Sequence, residues 1–142
     1  MRRFVVDASV ALAWCLDDED DPYADLALGA LQKTTSIGPG HLFLEVMNGL
    51  LMAERRGRTQ PADTQRAVSL LKSLRIDLDP QTADRASNET IALARLYGLT
   101  VYDAAYLELC IREGLPIATS DRRLSKACEK AGVELFLSDA TA

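Results

Sequence analysis

Four acidic residues in this 142-residue sequence stand where carboxylates could do chemistry. Asp7 and Asp121 each directly follow an apolar, strand-like run, whereas Asp103 falls in the first turn of a predicted helix. Glu45 lies about one turn into another predicted helix. In open α/β sheets, the ligand crevice lies outside the carboxyl ends of the strands. We therefore expect these four side chains to meet at one edge of a sheet.

Four carboxylates gathered at one edge repel one another unless a cation is present. A hard divalent cation such as Mg²⁺ takes oxygen ligands and binds through a few carboxylates together with substrate phosphates. This combination favours phosphoryl-group chemistry over acid–base work on a neutral substrate. Each acid also has a structural alternative: Asp7 could cap a helix, Asp103 and Asp121 could complement helix dipoles, and Glu45 could face solvent.

Hydroxyl side chains lie next to two of the acids. Ser9 lies two residues after Asp7, and Thr119 and Ser120 precede Asp121. A hydroxyl beside a metal-binding carboxylate can fix its rotamer or hold a bound water. The alternative for Ser9 and Ser120 is that they cap the helices beside them.

Other chemistries have little support in the sequence. It contains no dinucleotide-binding glycine motif, no P-loop and no nucleophile elbow. The one histidine, His41, has no cysteine or acid at zinc-ligand spacing, so we expect an ordinary, partly exposed residue. Trp14 and the tyrosines are expected in the core, although Tyr102, beside Asp103, could reach the mouth of the site.

Composition indicates one globular domain over residues 1–142, with 48% hydrophobic and 26% charged residues. The net charge of -5 gives no general attraction to a polyanion, so binding of nucleic acid would need metal ions or a local basic patch. Three cysteines without a CxxC pair favour a reduced, cytoplasmic protein. Asp7 interrupts what would be the apolar part of a signal peptide, and no apolar stretch could span a bilayer.

The order of predicted elements is typical of a three-layer α/β/α sandwich with a central parallel sheet. Apolar runs predict strands over 4–6, 36–38, 76–78, 116–119 and 133–137, with 4–6 as the central strand. Periodicity and end signals predict helices over 8–16, 23–33, 41–56, 63–74, 82–97, 102–113 and 121–131. The acidic run 17–21 is expected to be a solvated loop in which Asp21 caps the next helix; metal binding is the alternative.

Four motifs in this order resemble the PIN domain, and within it the toxins of VapBC-type toxin–antitoxin pairs. They are Val6-Asp7-Ala8-Ser9, Glu45-Val46-Met47-Asn48-Gly49-Leu50, Tyr102-Asp103-Ala104-Ala105-Tyr106 and Ala118-Thr119-Ser120-Asp121-Arg122-Arg123-Leu124. The resemblance implies a small α/β/α domain that acts as a Mg²⁺- or Mn²⁺-dependent endoribonuclease. It also implies a homodimer and a cognate antitoxin that occludes the site.

The resemblance assigns roles residue by residue. Asp7, Glu45 and Asp103 match the three acids that hold the metal, and Asp121 matches a fourth acid that varies more. Ser9 and Thr119 match positions that are often polar beside these acids. Asn48 matches an asparagine that supports the orientation of the helical glutamate.

An acidic ribonuclease needs positive charge to meet RNA. Arg122, Arg123 and Lys126 are the candidate phosphate contacts, because they follow Asp121. Arg55, Arg56 and Arg58 form a second candidate group, although cations at a helix end also complement its dipole.

Two other functions stay open from the sequence. One is a catalytically silent PIN-like scaffold that only binds partners, and the intact four acids argue against it. The other is a receiver-type signalling domain, which needs paired acids after the first strand and a lysine after the fifth. Here Asp7 is followed by Ala8 and Ser9, and no lysine follows the last predicted strand.

Overall fold

The centre of the fold is a four-stranded, wholly parallel sheet with the strand order β3-β2-β1-β4. The computed structural model describes residues 1–138. β1 is an inner strand, as predicted, because Val5 pairs with Ile37 on one side and with Ile117 on the other. The strands are β1 (Phe4–Val6), β2 (Ser36–Gly38), β3 (Ile76–Leu78) and β4 (Ile117–Ala118).

Helices cover the sheet and complete the predicted three-layer α/β/α architecture. α1 packs against α2, α3 and α4, whereas α7 packs against β1, α6 and α8. The helices are α1 (Ala8–Cys15), α2 (Pro22–Ala30), α3 (Leu42–Arg55), α4 (Pro61–Ser73), α5 (Thr82–Arg85), α6 (Ile91–Tyr97), α7 (Val101–Glu113) and α8 (Arg122–Lys130). Among the described residues, none of the helices is both long and apolar enough to cross a membrane.

The core confirms the apolar patterns of the sequence. All three residues of β1 are fully buried. One apolar face of α3 is also buried, and it consists of Leu42, Val46, Leu50 and Ala53. In α7 every residue from Ala104 to Cys110 is buried, so this helix is held firmly against the sheet.

A buried ion-pair network ties α7 to the end of β3. The Arg112 guanidinium donates hydrogen bonds to both carboxylate oxygens of Glu108 and to both of Asp79. Asp79 also accepts a hydrogen bond from the backbone N–H of Gln81. A buried carboxylate needs such partners, because an unpaired charge away from water is costly.

Two predicted elements differ from the structure. The strand expected over 133–137 is wrong: this segment forms one bridge, Ile117 with Leu135, and then turns where Leu137 has a positive φ of 57°. Phe136 is nevertheless anchored, because its ring stacks on Phe4 with centroids 3.9 Å apart. The single helix expected over 82–97 is interrupted by a π-helical turn, Ala86–Thr90, between α5 and α6.

The acidic run 17–21 forms a loop in which several of the acids accept hydrogen bonds. Asp21 caps α2 by accepting a hydrogen bond from the Ala24 N–H, as predicted. Arg58 donates to both carboxylate oxygens of Asp18 and to Glu19. Arg58 therefore ties this loop to the turn after α3.

α1 and α3 approach closely at Gly49. A Cβ atom on Gly49 would lie 2.7 Å from Leu12 Cδ2 and 3.0 Å from its Cδ1. Because Asp7 immediately precedes α1 and Glu45 is one turn before Gly49, this close packing sets the separation of the two acids.

The first prediction compares two helical glycines. Gly49→Ala should lower the melting temperature, because displacing Leu12 costs about 1–3 kcal/mol, more than the gain in helix propensity. Gly29→Ala in α2, where a Cβ atom meets nothing within 4 Å, should instead raise stability by about 0.5–1 kcal/mol. Circular dichroism melts of both variants test this. Equal stabilisation by the two substitutions would show that the interface of α1 and α3 can accommodate a methyl group at position 49.

Candidate active site

Asp7 is a buried carboxylate at the end of the central strand. Its Oδ1 accepts hydrogen bonds from Ser9 Oγ at 2.6 Å and from the Val10 N–H at 3.1 Å. Its Oδ2 accepts a hydrogen bond from the Thr119 hydroxyl. Burial raises the Asp7 pKa to about 6, although these hydrogen bonds lower it, and the charge of Asp121 raises it further.

The same hydroxyls join the ends of β1 and β4. Ser9 Oγ accepts from the Ser120 N–H, and Thr119 Oγ1 accepts from the Asp121 N–H, each at 3.0 Å. Ser9 therefore lies against Asp7, as its position in the sequence predicted. The Thr119 hydroxyl, which precedes Asp121 in the sequence, donates to the carboxylate of Asp7 and accepts the backbone N–H of Asp121. The Ser120 hydroxyl turns away from Asp7 and donates to Asp21 Oδ2 at 3.1 Å.

Glu45 lies beside two residues that were assigned no role from the sequence, Tyr106 and His41. The Tyr106 hydroxyl donates to Glu45 Oε1 at 2.6 Å. His41 Nε2 lies 3.3 Å from the same oxygen, and its hydrogen-bonding partner is the Tyr102 carbonyl at 3.2 Å. His41 also packs edge-to-face against Tyr106, with ring centroids 5.5 Å apart. The spacing of His41 and Glu45, one helical turn apart, is the signal that could have identified the histidine.

Tyr106 carries a similar signal, since it lies three residues after Asp103 on α7 and shares that helix face. Its side chain is only 1% exposed. Burial and the neighbouring Glu45 carboxylate raise the Tyr106 pKa, so its hydroxyl keeps its proton and acts as a donor. Tyr102, expected near the site mouth, is largely exposed and contacts His41 edge-on.

Asp103 and Asp121 lie in the first turn of α7 and at the N-cap of α8. Asp121 Oδ1 accepts a hydrogen bond from the Leu124 N–H at 3.0 Å, so Asp121 caps the N-terminus of α8. The pKa of Asp103 is raised, first by burial and then by the charges of Asp121 and Glu45. Together with the effect of Asp121 on Asp7, these interactions link all four acids electrostatically.

The donor chemistry fits a hard divalent cation. Four carboxylates from separate elements supply only oxygen, which is the ligand set that Mg²⁺ and Mn²⁺ accept. Burial is the main cause of the raised pKa of Asp7 and Asp103, and repulsion from the neighbouring acids raises the pKa of each further; a bound cation would relieve this repulsion. Within residues 1–138, no group of three or more His, Cys, Asp or Glu side chains has the geometry of a formed metal site. The carboxylates of Asp7, Glu45 and Asp121 are instead oriented by hydroxyl and backbone donors.

The remaining candidates occupy exposed positions. Asn48 is exposed, and among the described residues no hydrogen bond joins it to Glu45, so its role stays a prediction. Arg122, Arg123 and Lys126 are exposed on α8. Of these three, Arg123 is near enough to Asp103 for its charge to lower the pKa of that carboxyl, against the larger rise from burial.

Comparison with known proteins identifies the family. A family model of the PIN domain matches residues 4–130. The chain therefore belongs to the PIN domain family. Among curated proteins, Ribonuclease VapC3 of Pyrobaculum aerophilum is 29% identical over 124 residues, which cover 87% of this chain and 93% of that protein.

Solved structures share the architecture. PAE2754 from Pyrobaculum aerophilum has 26% sequence identity and a TM-score of 0.65, and the match covers 88% of this chain and 85% of that one. VapC20 of Mycobacterium tuberculosis, described as a sarcin–ricin loop cleaving toxin, has 19% identity and a TM-score of 0.64. That match covers 87% of this chain and 94% of VapC20, and at this identity it shows the fold alone.

A second prediction follows from the buried charge of Asp7. Between its ordinary pKa of 3.8 and about 6, the unfolded chain loses the proton and the folded chain keeps it, so stability falls as pH rises. The full effect is about 3 kcal/mol above pH 6. In EDTA, Asp7→Asn should therefore gain about 2 kcal/mol relative to the parent between pH 4.5 and 7.5.

Urea unfolding at the two pH values measures this gain. Asp77→Asn, at an exposed aspartate on β3, is the matched control and should track the parent at both. Parallel pH dependence of the parent and Asp7→Asn would contradict a buried, charged Asp7.

A third prediction concerns the bond between Tyr106 and Glu45. In a double-mutant cycle, Tyr106→Phe and Glu45→Ala should couple by about 1 kcal/mol, because either change alone removes the same hydrogen bond. Tyr97→Phe with Glu45→Ala should be additive, since Tyr97 has no contact with Glu45 among the described residues. Unfolding free energies give both values, and additivity of the Tyr106 pair would rule out a stable bond.

Proposed function

We propose that this chain is a divalent-metal-dependent endoribonuclease and the toxin of a type II toxin–antitoxin pair. The observation that carries the proposal is the hydrogen-bonded placement of the four acids at the ends of the central strands and the starts of the helices. Thr119 joins the Asp7 carboxylate to the backbone of Asp121. Tyr106 bonds Glu45 to α7, the helix that carries Asp103 in its first turn. Membership of the PIN domain family and the likeness to Ribonuclease VapC3 over nearly all of both chains support it. An RNA substrate and the reduced cysteines agree with action in the cytoplasm.

In this proposal the four acids would hold Mg²⁺ or Mn²⁺. A cation there supplies Lewis-acid stabilisation of the charge that develops on the phosphodiester oxygens. Asp7 is already fixed by Ser9, Thr119 and the start of α1, so it need not reorganise when the substrate arrives.

The other acids have their own supports. Tyr106 occupies Glu45 Oε1 and leaves the second carboxylate oxygen for the site. Asp121 is held by its capping bond, and the backbone of Asp103 is fixed in the first turn of α7, where its N–H donates to Thr100. Such support of ligating side chains commonly changes metal affinity or activity by about 10–100-fold when it is removed.

The partners proposed for this function are RNA, a cognate antitoxin and a second copy of the chain. Arg122, Arg123 and Lys126 supply positive charge beside Asp121, where the net charge of -5 would otherwise oppose RNA. The antitoxin and the homodimer follow from the resemblance to VapBC toxins.

The fourth prediction tests metal and catalysis together. Asp7→Asn should abolish cleavage of total RNA in MnCl₂ without loss of fold, with cleavage products mapped by sequencing of their ends. Mn²⁺ should raise the melting temperature of the parent but not of the variant, by mass action on a site that only the parent keeps. Asp77→Asn should behave as the parent does in both assays.

The two assays test catalysis and metal binding separately. Cleavage that persists in Asp7→Asn would reject the catalytic role of this acid. Equal Mn²⁺ stabilisation of the parent and the variant would reject the metal site. A parent that binds Mn²⁺ but cuts no RNA would favour the non-catalytic binding module.

A further inference from the structure

A groove of about 510 Å³ lies between the C-terminal end of α6 and α8. Tyr97 and Gly98 line one side, and Arg123, Lys126 and Lys130 line the other. Tyr97 is partly buried and packs against the hydrophobic core, so only part of its ring faces the groove. Neither Tyr97 nor Lys130 has a role in the acid cluster as described above.

The three cations form one continuous stripe. They are spaced three and four residues apart, so they share a helix face, and they span a rise of about 10.5 Å along α8. All three are exposed, and within residues 1–138 none of them forms a salt bridge. By contrast, Arg58 and Arg112 are each engaged by two or more carboxylates.

The stripe begins at the acid cluster. Arg123 lines the groove and also acts electrostatically on Asp103. Asp121, the N-cap of α8, immediately precedes the stripe. A strand whose phosphodiester lies at the acids would therefore meet Arg123 first and then Lys126 and Lys130.

We propose that single-stranded RNA runs from the acid cluster along this groove, with backbone phosphates against Arg123, Lys126 and Lys130 and a base against the Tyr97 ring. This inference rests on the proposed ribonuclease function. It extends the RNA contacts beyond the residues that flank Asp121. It also places the path of the RNA strand along α8, from Arg123 towards Lys130.

Two features favour RNA over an acidic protein segment. A line of cations beside an aromatic ring is the combination that single-stranded nucleic-acid sites use, because phosphates follow the charges and bases stack on rings. The groove is also lined by Arg123, which lies two residues after Asp121 and acts electrostatically on Asp103. Lys130 in the last turn additionally complements the α8 dipole, so the test must measure RNA binding and not only stability.

The experiment removes the charges of Lys126 and Lys130, the two cations of the stripe that follow Arg123 along α8. Binding of a fluorescein-labelled single-stranded RNA is followed by anisotropy in EDTA at several salt concentrations, for the parent and for Lys126→Gln/Lys130→Gln. The variant should bind about tenfold more weakly, and its salt slope should fall by about 1.4, which is 0.7 per lost phosphate contact. Tyr97→Ala should weaken binding about fivefold or more with the salt slope unchanged.

The matched control is Lys33→Gln/Lys72→Gln. It removes the same charge at exposed positions, and Lys72 sits in the last turn of α4 just as Lys130 sits in that of α8. This control should retain the affinity and salt slope of the parent. The rise in melting temperature with Mn²⁺ should persist in all these variants, because none of them touches the acids.

The outcomes separate the two proposals. A parent that neither binds nor cleaves RNA overturns the ribonuclease function and the groove assignment together. A parent that cleaves RNA, with a Lys126→Gln/Lys130→Gln variant that matches the control, overturns only the groove assignment. Loss of an antitoxin complex without loss of RNA affinity would also overturn it, because the groove would then be a protein-binding surface.

Discussion

The burial of one carboxylate, Asp7, is the constraint on which the rest of the site depends. Strand pairing on both sides of β1 fixes its backbone, and burial raises its pKa. Three donors, from Ser9, Val10 and Thr119, keep it from being an unsatisfied charge. Ser9 and Thr119 also accept backbone N–H groups from the segment after β4. The same two hydroxyls therefore orient the Asp7 carboxylate and fix the backbone of Asp121.

The four site acids differ from the other buried acids of the molecule in how their negative charge is balanced. Gathering acids at one sheet edge costs stability in the absence of a cation, which a purely structural protein would have no reason to accept. The other buried acids are handled differently, since Asp79 and Glu108 share the Arg112 guanidinium. Within residues 1–138 no arginine forms a salt bridge with the four site acids, and the charge of Arg123 only partly offsets the rise in the pKa of Asp103. This contrast supports the view that the balancing charge comes from outside the chain.

Much of this geometry could be predicted from the sequence, because it depends on local patterns. Unbroken apolar runs mark the inner strands, and parallel connections bring their carboxyl ends to one edge, so Asp7 and Asp121 could be placed together with Ser9 and Thr119. The contact of Tyr106 with Glu45 could not be predicted in this way. Tyr106 meets Glu45 across 61 residues, and only the packing of α7 beside α3 brings them together.

The errors in the fold have similar causes. Residues 133–137 have the apolar character of a strand, yet the turn at Leu137 leaves only one bridge to β4. The π-helical turn Ala86–Thr90 inserts an extra residue into a helix whose sequence pattern is otherwise continuous. In both cases tertiary packing overrides a correct local preference.

Anomalous diffraction from crystals grown in MnCl₂ would show directly whether the four acids bind a metal ion. We expect one or two Mn²⁺ peaks within bonding distance of carboxylate oxygens from Asp7 and at least two of Glu45, Asp103 and Asp121. We also expect the Tyr106 hydroxyl to stay bonded to Glu45. A map with no peak among these acids, or with Mn²⁺ held elsewhere on the chain, would contradict the proposed metal site.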